Sequence, residues 1–212
     1  MDLKKLLKAT ARIIFIVGLA AAGYLVDRDR HDRALIMLQP FGYGWACLSF
    51  VIIVIGQKVV GRNATLARRS SGIDRPDQHA YEVVGAKENI EPDLPQGVSP
   101  ELVEQQGAAV RMASDGALGE FNRAQRAVFN WHESLPVTLM ELLLVAFSCG
   151  PVSVVMALVI VVGRSTFARG YTKGLAGRLP GFIVAVSGEW ACHLLLVILA
   201  IRSFTLGNNL PA

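Results

Sequence analysis

The chain has 212 residues, of which 52% are hydrophobic, and its formal net charge is +4. A mean hydropathy of +0.42, with the apolar residues grouped in long blocks, excludes an average soluble domain. The basic residues stand at the ends of these blocks, which excludes a nucleic-acid-binding surface and indicates a membrane protein. The three cysteines, Cys47, Cys149 and Cys192, lie inside apolar segments without a CxxC pair, and the histidines are scattered. The sequence therefore predicts no disulfide framework and no metal site.

Residues 1–39 form an N-terminal extension with its own hydrophobic segment. Residues 1–12 hold four basic side chains, and the run from Ile13 to Val26 that follows is uncharged and rich in Ala and Gly. This pattern fits either a signal peptide or a short first membrane helix. The run passes Tyr24 without a clean cleavage signature, which favours a retained extra helix. The charged stretch from Asp27 to Arg33 is interpreted as a polar hinge.

A second apolar block runs from Pro40 to Val60 and is long enough to span a bilayer with its flanks. Residues 62–119 then form a long polar insertion that contains several prolines and glycines and has an acidic bias. We expect this insertion to be a solvated loop with a short helix near Ser99 to Met112. Asn63 begins an Asn-Ala-Thr glycosylation sequon, which matters only on the lumenal side of a membrane.

The apolar stretch from Leu135 to Gly163 is interrupted by Gly150-Pro151, and a proline at that point breaks a continuous helix. We therefore expect a hairpin of two membrane helices here. A further helix should begin near Pro180, because proline is best tolerated just inside the start of a helix, and residues 205–212 form a short tail. The predicted helices are residues 121–149, 152–171 and 180–204. Together with the second apolar block they predict an all-α integral membrane protein.

The distribution of Lys and Arg predicts the orientation of the chain. Basic residues concentrate before the first hydrophobic run, around the insertion and in the loop 164–178, which contains no acidic residue. If five helices cross the membrane, these three segments fall on one face, and the opposite face is balanced or uncharged. The positive-inside rule then predicts that the N-terminus, the insertion and the loop 164–178 are cytosolic.

A polar row lies on the predicted helix 121–149, at the mouth of a run that is otherwise almost uncharged. It consists of Arg126, Asn130 and Glu133, which fall within roughly 60° of helical arc. One interpretation is the interfacial end of a membrane helix, where charges are common, and the other is a site that holds a polar ligand. The predicted topology brings Tyr171 and Arg178 to the same side of the membrane.

The motif Phe121-x-Arg123-x-x-Arg126-Ala127-x-x-Asn130-x-x-Glu133-x-x-Pro136 resembles the signature of the MAPEG family, the membrane-associated proteins of eicosanoid and glutathione metabolism. The later pairs Gly170-Tyr171 and Arg178-Leu179 resemble the loop and the fourth-helix entry of the same family, at matching spacing. The resemblance covers about residues 40–204, with residues 62–119 as an expanded loop and residues 1–39 without a counterpart.

The resemblance implies a four-helix transmembrane bundle of the MAPEG type, here with one extra N-terminal hydrophobic helix, assembled as a homotrimer. Glutathione would lie between protomers at the cytosolic side, with no metal. Arg126 would pair with a glutathione carboxylate, Asn130 would hydrogen-bond the peptide and Glu133 would take the γ-glutamyl amine. Tyr171 would line the site, and Arg178 would stabilise the thiolate.

The implied activity is that of a microsomal glutathione transferase in the endoplasmic reticulum or a related membrane. Its second substrate would be a lipophilic electrophile dissolved among the membrane lipids, or a lipid hydroperoxide reduced by a peroxidase reaction. Two other functions fit the same residues: a non-catalytic lipid-binding or partner-presenting protein, and a glutathione-dependent isomerase or synthase. The joint presence of Arg126, Glu133 and Arg178 argues against the first of these. The second would be recognised only by its product.

The sequence also makes predictions for four further side chains in the apolar helices. Glu141 and Glu189 should face the bundle interior, protonated or hydrogen-bonded to a neighbouring helix. Trp131 should face lipid or the interfacial belt. His132 points about 100° away from Glu133 on a helix, so the sequence predicts no His–Glu catalytic pair.

Overall fold

The computed structural model of the chain describes residues 28–73, 79–84 and 109–207, together with the helical positions 14–19, 21, 22 and 25. The described elements are α1 (Arg28–Leu38), α2 (Tyr43–Ser71), β1 (Tyr81–Val84), β2 (Ala109–Met112), α3 (Gly116–Lys173) and α4 (Leu179–Gly207), with one-turn 3-10 helices at Gln39–Phe41 and Ala176–Arg178.

The membrane bundle consists of four crossing segments. Among the described residues, α2, α3 and α4 are long and apolar enough to span a membrane. The 58 residues of α3 would extend about 87 Å at 1.5 Å per residue, which is far more than one bilayer crossing needs. α3 is divided at Cys149, whose backbone angles (φ −141°, ψ 61°) are not helical, into a first arm (116–148) and a second arm (150–173). The predicted all-α membrane bundle is confirmed.

The hairpin in α3 has a local cause. Pro151 has no N–H, so the carbonyl of Phe147 loses its helical partner and the helix can bend. Gly150 lies against Trp45 of α2, and a Cβ on Gly150 would come within 2.1 Å of the indole ring. The two arms run antiparallel, because Arg123 near the start of the first arm hydrogen-bonds the carbonyl of Thr172 at the end of the second. The sequence-based prediction of a break at Gly150-Pro151 is confirmed.

Small residues allow the helices to approach closely. A Cβ on Gly163 of the second arm would lie 2.3 Å from the backbone nitrogen of Ala185 in α4. A Cβ on Gly56 of α2 would lie 2.6 Å from the indole of Trp131. Packing through small residues is a common way to bring membrane helices into contact. Because Gly56 leaves this space, Trp131 is only 2% exposed, and the expectation that it faces lipid is wrong.

Two polar side-chain pairs connect the helices of the bundle. Glu141 of the first arm is 8% exposed and accepts from His193 Nε2 of α4 at 2.8 Å. Glu189 of α4 accepts from Arg164 Nε of the second arm at 3.2 Å, and Arg164 Nη2 also donates to Ser134 Oγ at 2.7 Å. The expectation that both glutamates bond to a neighbouring helix is confirmed. Charges at membrane depth are tolerated when they are paired in this way.

The segment before the bundle differs from the expected hinge. Residues 28–33, predicted to form a polar hinge, belong to helix α1, and Arg28 pairs with Asp32 one turn later (3.5 Å). An ion pair of this i,i+4 spacing supports a helix, so the hinge interpretation is wrong over these residues. Most of the predicted extra helix from Ile13 to Val26 is described and is helical there. The remainder of that helix lies outside the described residues.

The insertion contains a short antiparallel pair of strands. β1 pairs with β2 from Tyr81 opposite Met112 to Val84 opposite Ala109. The predicted helix near Ser99 to Met112 is therefore wrong at its C-terminal end, and the rest of it lies outside the described residues. α2 also continues to Ser71, and α3 already begins at Gly116, so the helices extend into what was expected to be loop.

Candidate functional site

The polar row lies on the first arm of α3. Arg126 and Glu133 are exposed and Asn130 is half-buried. Within the described ranges, none of these three side chains makes a hydrogen bond or an ion pair. Polar side chains at membrane depth are costly when they remain unpaired. The row is therefore available to a polar molecule from outside the chain.

Asn122 and the motif residue Arg123, which precede the row, have structural partners instead. The amide of Asn122, 3% exposed, accepts from the N–H of Ala80 at 2.9 Å and donates to the carbonyls of Ala80 (2.8 Å) and Ala113 (2.9 Å). Arg123 donates to the carbonyls of Thr172 (3.1 Å) and Ser114. Asn122 thus fastens one end of the strand pair, where β1 begins and β2 ends, to the start of the first arm, and Arg123 fastens the end of the second arm there.

A pocket of about 630 Å³ opens beside Arg126. Its volume is within the usual range for small-molecule sites. The chain that follows β2, the first arm and the end of the second arm all contribute to its walls. The lining residues are Met112, Ala113, Ser114, Asp115, Asn122, Arg123, Arg126, Tyr171, Lys173, Gly174 and Leu175.

Three of the lining side chains are charged and form no ion pair within the described part of the chain. Arg126 and Lys173 form no ion pair within the described part of the chain. Asp115 is the N-cap residue of α3, but its carboxylate makes no capping hydrogen bond and is approached only by the hydroxyl of Ser114 at 2.9 Å. A pocket with two free cations and one free carboxylate suits a ligand that carries charges of both signs.

Arg178 is held beside Tyr171 by a close backbone contact. A Cβ on Gly170 would lie 1.9 Å from the carbonyl oxygen of Gly177, so the end of the second arm and the 3-10 turn can touch only without side chains there. The guanidinium carbon of Arg178 lies 5.5 Å from the centre of the Tyr171 ring, which is a cation–π distance. The Tyr171 ring in turn packs on Phe167, with 5.5 Å between the ring centres.

The structure brings some of the predicted site residues together and leaves others apart. Arg126 and Tyr171 share the pocket, and Arg178 contacts Tyr171 directly before α4 begins. Asn130 and Glu133 continue the polar row away from the pocket, along the first arm. Sequence reasoning missed Asp115 as a pocket residue and counted Lys173 only as a topology signal. Asp115 was placed in the loop, because the helix was expected to begin at Phe121 and it begins at Gly116.

His132 and the side chains that could ligate a metal are the remaining features of the site. His132 accepts a hydrogen bond from the amide of Gln57 (3.0 Å) and makes no contact with Glu133, as its direction on the helix predicts. Among the described residues, no group of three or more His, Cys, Asp and Glu side chains is arranged to hold a metal ion.

The fold and the site together define a class of protein: an integral membrane helical bundle with a ligand-sized polar pocket at its basic end. The model of the MAPEG family matches residues 43–202, so this chain belongs to the MAPEG family. That family includes glutathione-dependent transferases, isomerases and synthases. Comparison with individual curated proteins gave no significant match.

Proposed function

We propose that this protein is a membrane glutathione transferase. The observation that carries the proposal is the polar row of Arg126, Asn130 and Glu133, which has no partner within the described residues and lies next to the charged pocket. Seven residues of helix separate Arg126 from Glu133, which corresponds to about 10 Å. An extended tripeptide has a similar length of about 10 Å. Family membership supports glutathione as that tripeptide.

The charges of the row match those of glutathione. A guanidinium binds a carboxylate through paired, charge-assisted hydrogen bonds, which is the role proposed for Arg126. The amide of Asn130 both donates and accepts, as a peptide group requires. The carboxylate of Glu133 balances the γ-glutamyl ammonium. Tyr171 lines the pocket and holds Arg178 through its ring.

The chemical step requires a thiolate. A free thiol has a pKa near 8.5 and is mostly protonated at pH 7. The guanidinium of Arg178, one residue before the start of α4, adds a fixed positive charge to the positive end of a helix, and both lower the pKa of a nearby thiol. The thiol proton leaves to solvent, and the sulfur then forms a bond to the electrophile while the leaving group departs with the electron pair.

The surroundings of the row support a lipophilic second substrate and an oligomer. The outward faces of α2 and α4 are apolar and exposed, so a molecule dissolved in the bilayer can reach the bundle. A lipid hydroperoxide would be reduced to the alcohol and one water by two glutathione molecules, which supply two protons and two electrons and leave as the disulfide. Glu133 is exposed in a single chain. A neighbouring copy that covers this carboxylate, as in a homotrimer, would remove its cost in a membrane.

The site is proposed to face the cytosol from an internal membrane such as the endoplasmic reticulum, and the basic residues support the cytosolic orientation. Arg69, Arg126, Arg169, Lys173 and Arg178 all lie at the end of the bundle that carries the pocket, and the positive-inside rule favours the cytosol for that end.

A glycosylation sequon engineered at the pocket end should remain unmodified in microsomes. Asn63 is unsuitable as the reporter, because its amide donates to Thr172 Oγ1 at 2.8 Å and is engaged in helix packing. Gly174→Asn with Ala176→Thr creates an exposed sequon in the turn, since a Cβ on Gly174 meets no atom within 4 Å. Modification of this variant, read as a shift in gel mobility, would reverse the proposed orientation.

The proposed function is tested by adding glutathione to the purified protein in detergent. We expect a thiolate absorbance in the ultraviolet and, with a lipophilic electrophile, a glutathione conjugate identified by mass spectrometry. Arg126→Ala should weaken glutathione binding by about 10-fold or more, because it removes a charge-assisted pair. The matched control is Arg169→Ala, an exposed arginine at the same end but outside the pocket. An intact protein that neither binds glutathione nor forms a conjugate would favour the non-catalytic lipid-binding function.

A further inference from the structure

The polar row enters the pocket at its Arg126 end. The pocket is lined by Arg126 and by Arg123, which precedes it in the first arm. Asn130 and Glu133, further along the arm, do not line the pocket. A ligand that extends along the row therefore has one end beside Glu133 and the other end inside the pocket. These ends are about 10 Å apart along the helix, which is the length of an extended tripeptide.

The direction of glutathione on the row follows from the positions of its charges. Its γ-glutamyl ammonium, which Glu133 balances, is bonded to the same carbon as the α-carboxylate, so both groups lie at the Glu133 end. The second carboxylate belongs to the glycine at the other end of the peptide. The carboxylate that pairs with Arg126, and so enters the pocket, is therefore the glycine carboxylate.

The pocket contains more positive charge than Arg126 alone supplies. Its described lining holds three basic residues, Arg123, Arg126 and Lys173, and one acidic residue, Asp115. The guanidinium of Arg123 is engaged by two backbone carbonyls. Lys173, in contrast, forms no ion pair among the residues that the structure describes. Like charges that share a cavity repel each other, and a bound carboxylate removes that repulsion.

Lys173 is the last residue of the second arm. A lysine at a helix C-terminus also interacts favourably with the helix dipole, but that role does not require a cavity. Here Lys173 and the two residues that follow it, Gly174 and Leu175, all line the pocket. The turn is held in place, because the N–H of Gly174 donates to the carbonyls of Gly170 (3.2 Å) and Tyr171 (3.1 Å). Lys173 thus belongs to the pocket wall and has a fixed backbone position.

We propose that Lys173 is a further glutathione-binding residue, whose ammonium pairs with the glycine carboxylate inside the pocket while Arg126 binds the same carboxylate from the polar row. This inference rests on the proposed function. A carboxylate has two oxygens with about four lone-pair sites, so it accepts from a guanidinium and an ammonium at the same time. The end of the second arm then recognises the C-terminal charge of the peptide, and the pocket selects thiol peptides that end in a free carboxylate.

A ligand without this charge separates the proposed contact from a general effect of Lys173. Glutathione amide has a carboxamide in place of the glycine carboxylate and keeps the thiol and the γ-glutamyl group. Lys173→Met should raise the Kd for glutathione about 5- to 10-fold and change the Kd for the amide by less than about twofold. Lys173→Arg keeps the positive charge and should bind glutathione within about threefold of the wild type. Kd is measured by calorimetry on the full-length protein in detergent, at one salt concentration.

The control is Arg169→Met, which removes a positive charge at the same end of the bundle but outside the pocket and should leave both Kd values unchanged. Wild-type affinity for glutathione in Lys173→Met would overturn the inference and leave the proposed function intact. An equal loss for glutathione and its amide would show that Lys173 does not recognise the carboxylate, and an equal loss in Arg169→Met would show a general charge effect. Either result would also overturn the inference. A wild-type protein that binds neither peptide would overturn both proposals.

Discussion

The Arg178→Ala variant should conjugate glutathione about 10²- to 10³-fold more slowly than the wild type, with little change in the Kd for glutathione. The size of the loss is typical for removing one fixed group that stabilises charge at the reacting atom. Binding should be preserved, because Arg178 contacts Tyr171 and lines neither the pocket nor the polar row. kcat, KM and the thiolate absorbance measured on the same preparations separate the two effects.

The pH dependence of the Arg178→Ala variant has a predictable sign. A nearby guanidinium lowers the pKa of a bound thiol, so the wild type forms the thiolate at a lower pH than free glutathione does. Without the guanidinium, the rise in rate with pH should move upward, toward the free thiol pKa of about 8.5. Arg169→Ala is the matched control and should keep the wild-type profile. A variant Arg178→Ala that loses binding but keeps its turnover would assign Arg178 to the binding of glutathione instead.

The Glu189→Leu variant should lose about 1–3 kcal/mol of stability, because it leaves the part-buried guanidinium of Arg164 without its charged partner. Among the described residues, the guanidinium of Arg164 would then retain Ser134 as its one partner. The double variant Arg164→Leu with Glu189→Leu removes both charges and should recover most of the loss. Unfolding with a denaturing detergent in mixed micelles measures all three proteins on one scale.

The control for this series is Glu120→Leu, because Glu120 is exposed and makes no contact with the bundle interior. A surface change of this kind should alter stability by no more than about 0.5 kcal/mol. Equal stability of Glu189→Leu and the wild type would mean that the pair with Arg164 contributes nothing to the bundle. A double variant no more stable than Glu189→Leu would instead assign the loss to packing.

The membrane helices were predictable because two strong local signals determine them. Long apolar runs require a spanning helix in a bilayer, and Pro151 removes a backbone donor wherever it stands in a helix. The inward position of Glu141 was equally predictable, since an ionisable group at depth must find a partner. The partner itself, His193, was not, because α4 reaches it only through tertiary packing.

Two of the errors, at Trp131 and in the insertion, have a common physical origin in contacts between distant segments. Trp131 stands in a helix that is apolar on most faces, so its environment depends on the space that Gly56 leaves in α2. The strand pair in the insertion depends on Asn122, which bonds Ala80 and Ala113 from a position far along the chain. Neither signal is visible within a window of neighbouring residues.

The candidate site also has one part that the sequence predicted, the polar row, and one part that it did not, the pocket. Arg126, Asn130 and Glu133 share one helix, so their common face follows from helical periodicity alone. The pocket beside them combines three segments, and no local pattern links Asp115 to it. The roles assigned to these residues stay predictions until glutathione binding is measured.

The strand pair has a consequence for how this chain can vary. Val84 and Ala109 face each other across the ladder, so the chain leaves the anchored part of the insertion and returns to it at nearly the same point. The side chain of Asn122 bonds Ala80, before β1, and Ala113, after β2. It therefore holds both strands whatever the length of the segment that joins them. The geometry of the polar row therefore does not depend on the number of residues between Val84 and Ala109. Natural sequences, or an engineer who inserts a reporter domain, can lengthen or shorten that interval while Ala80, Ala113 and the pocket wall keep their positions.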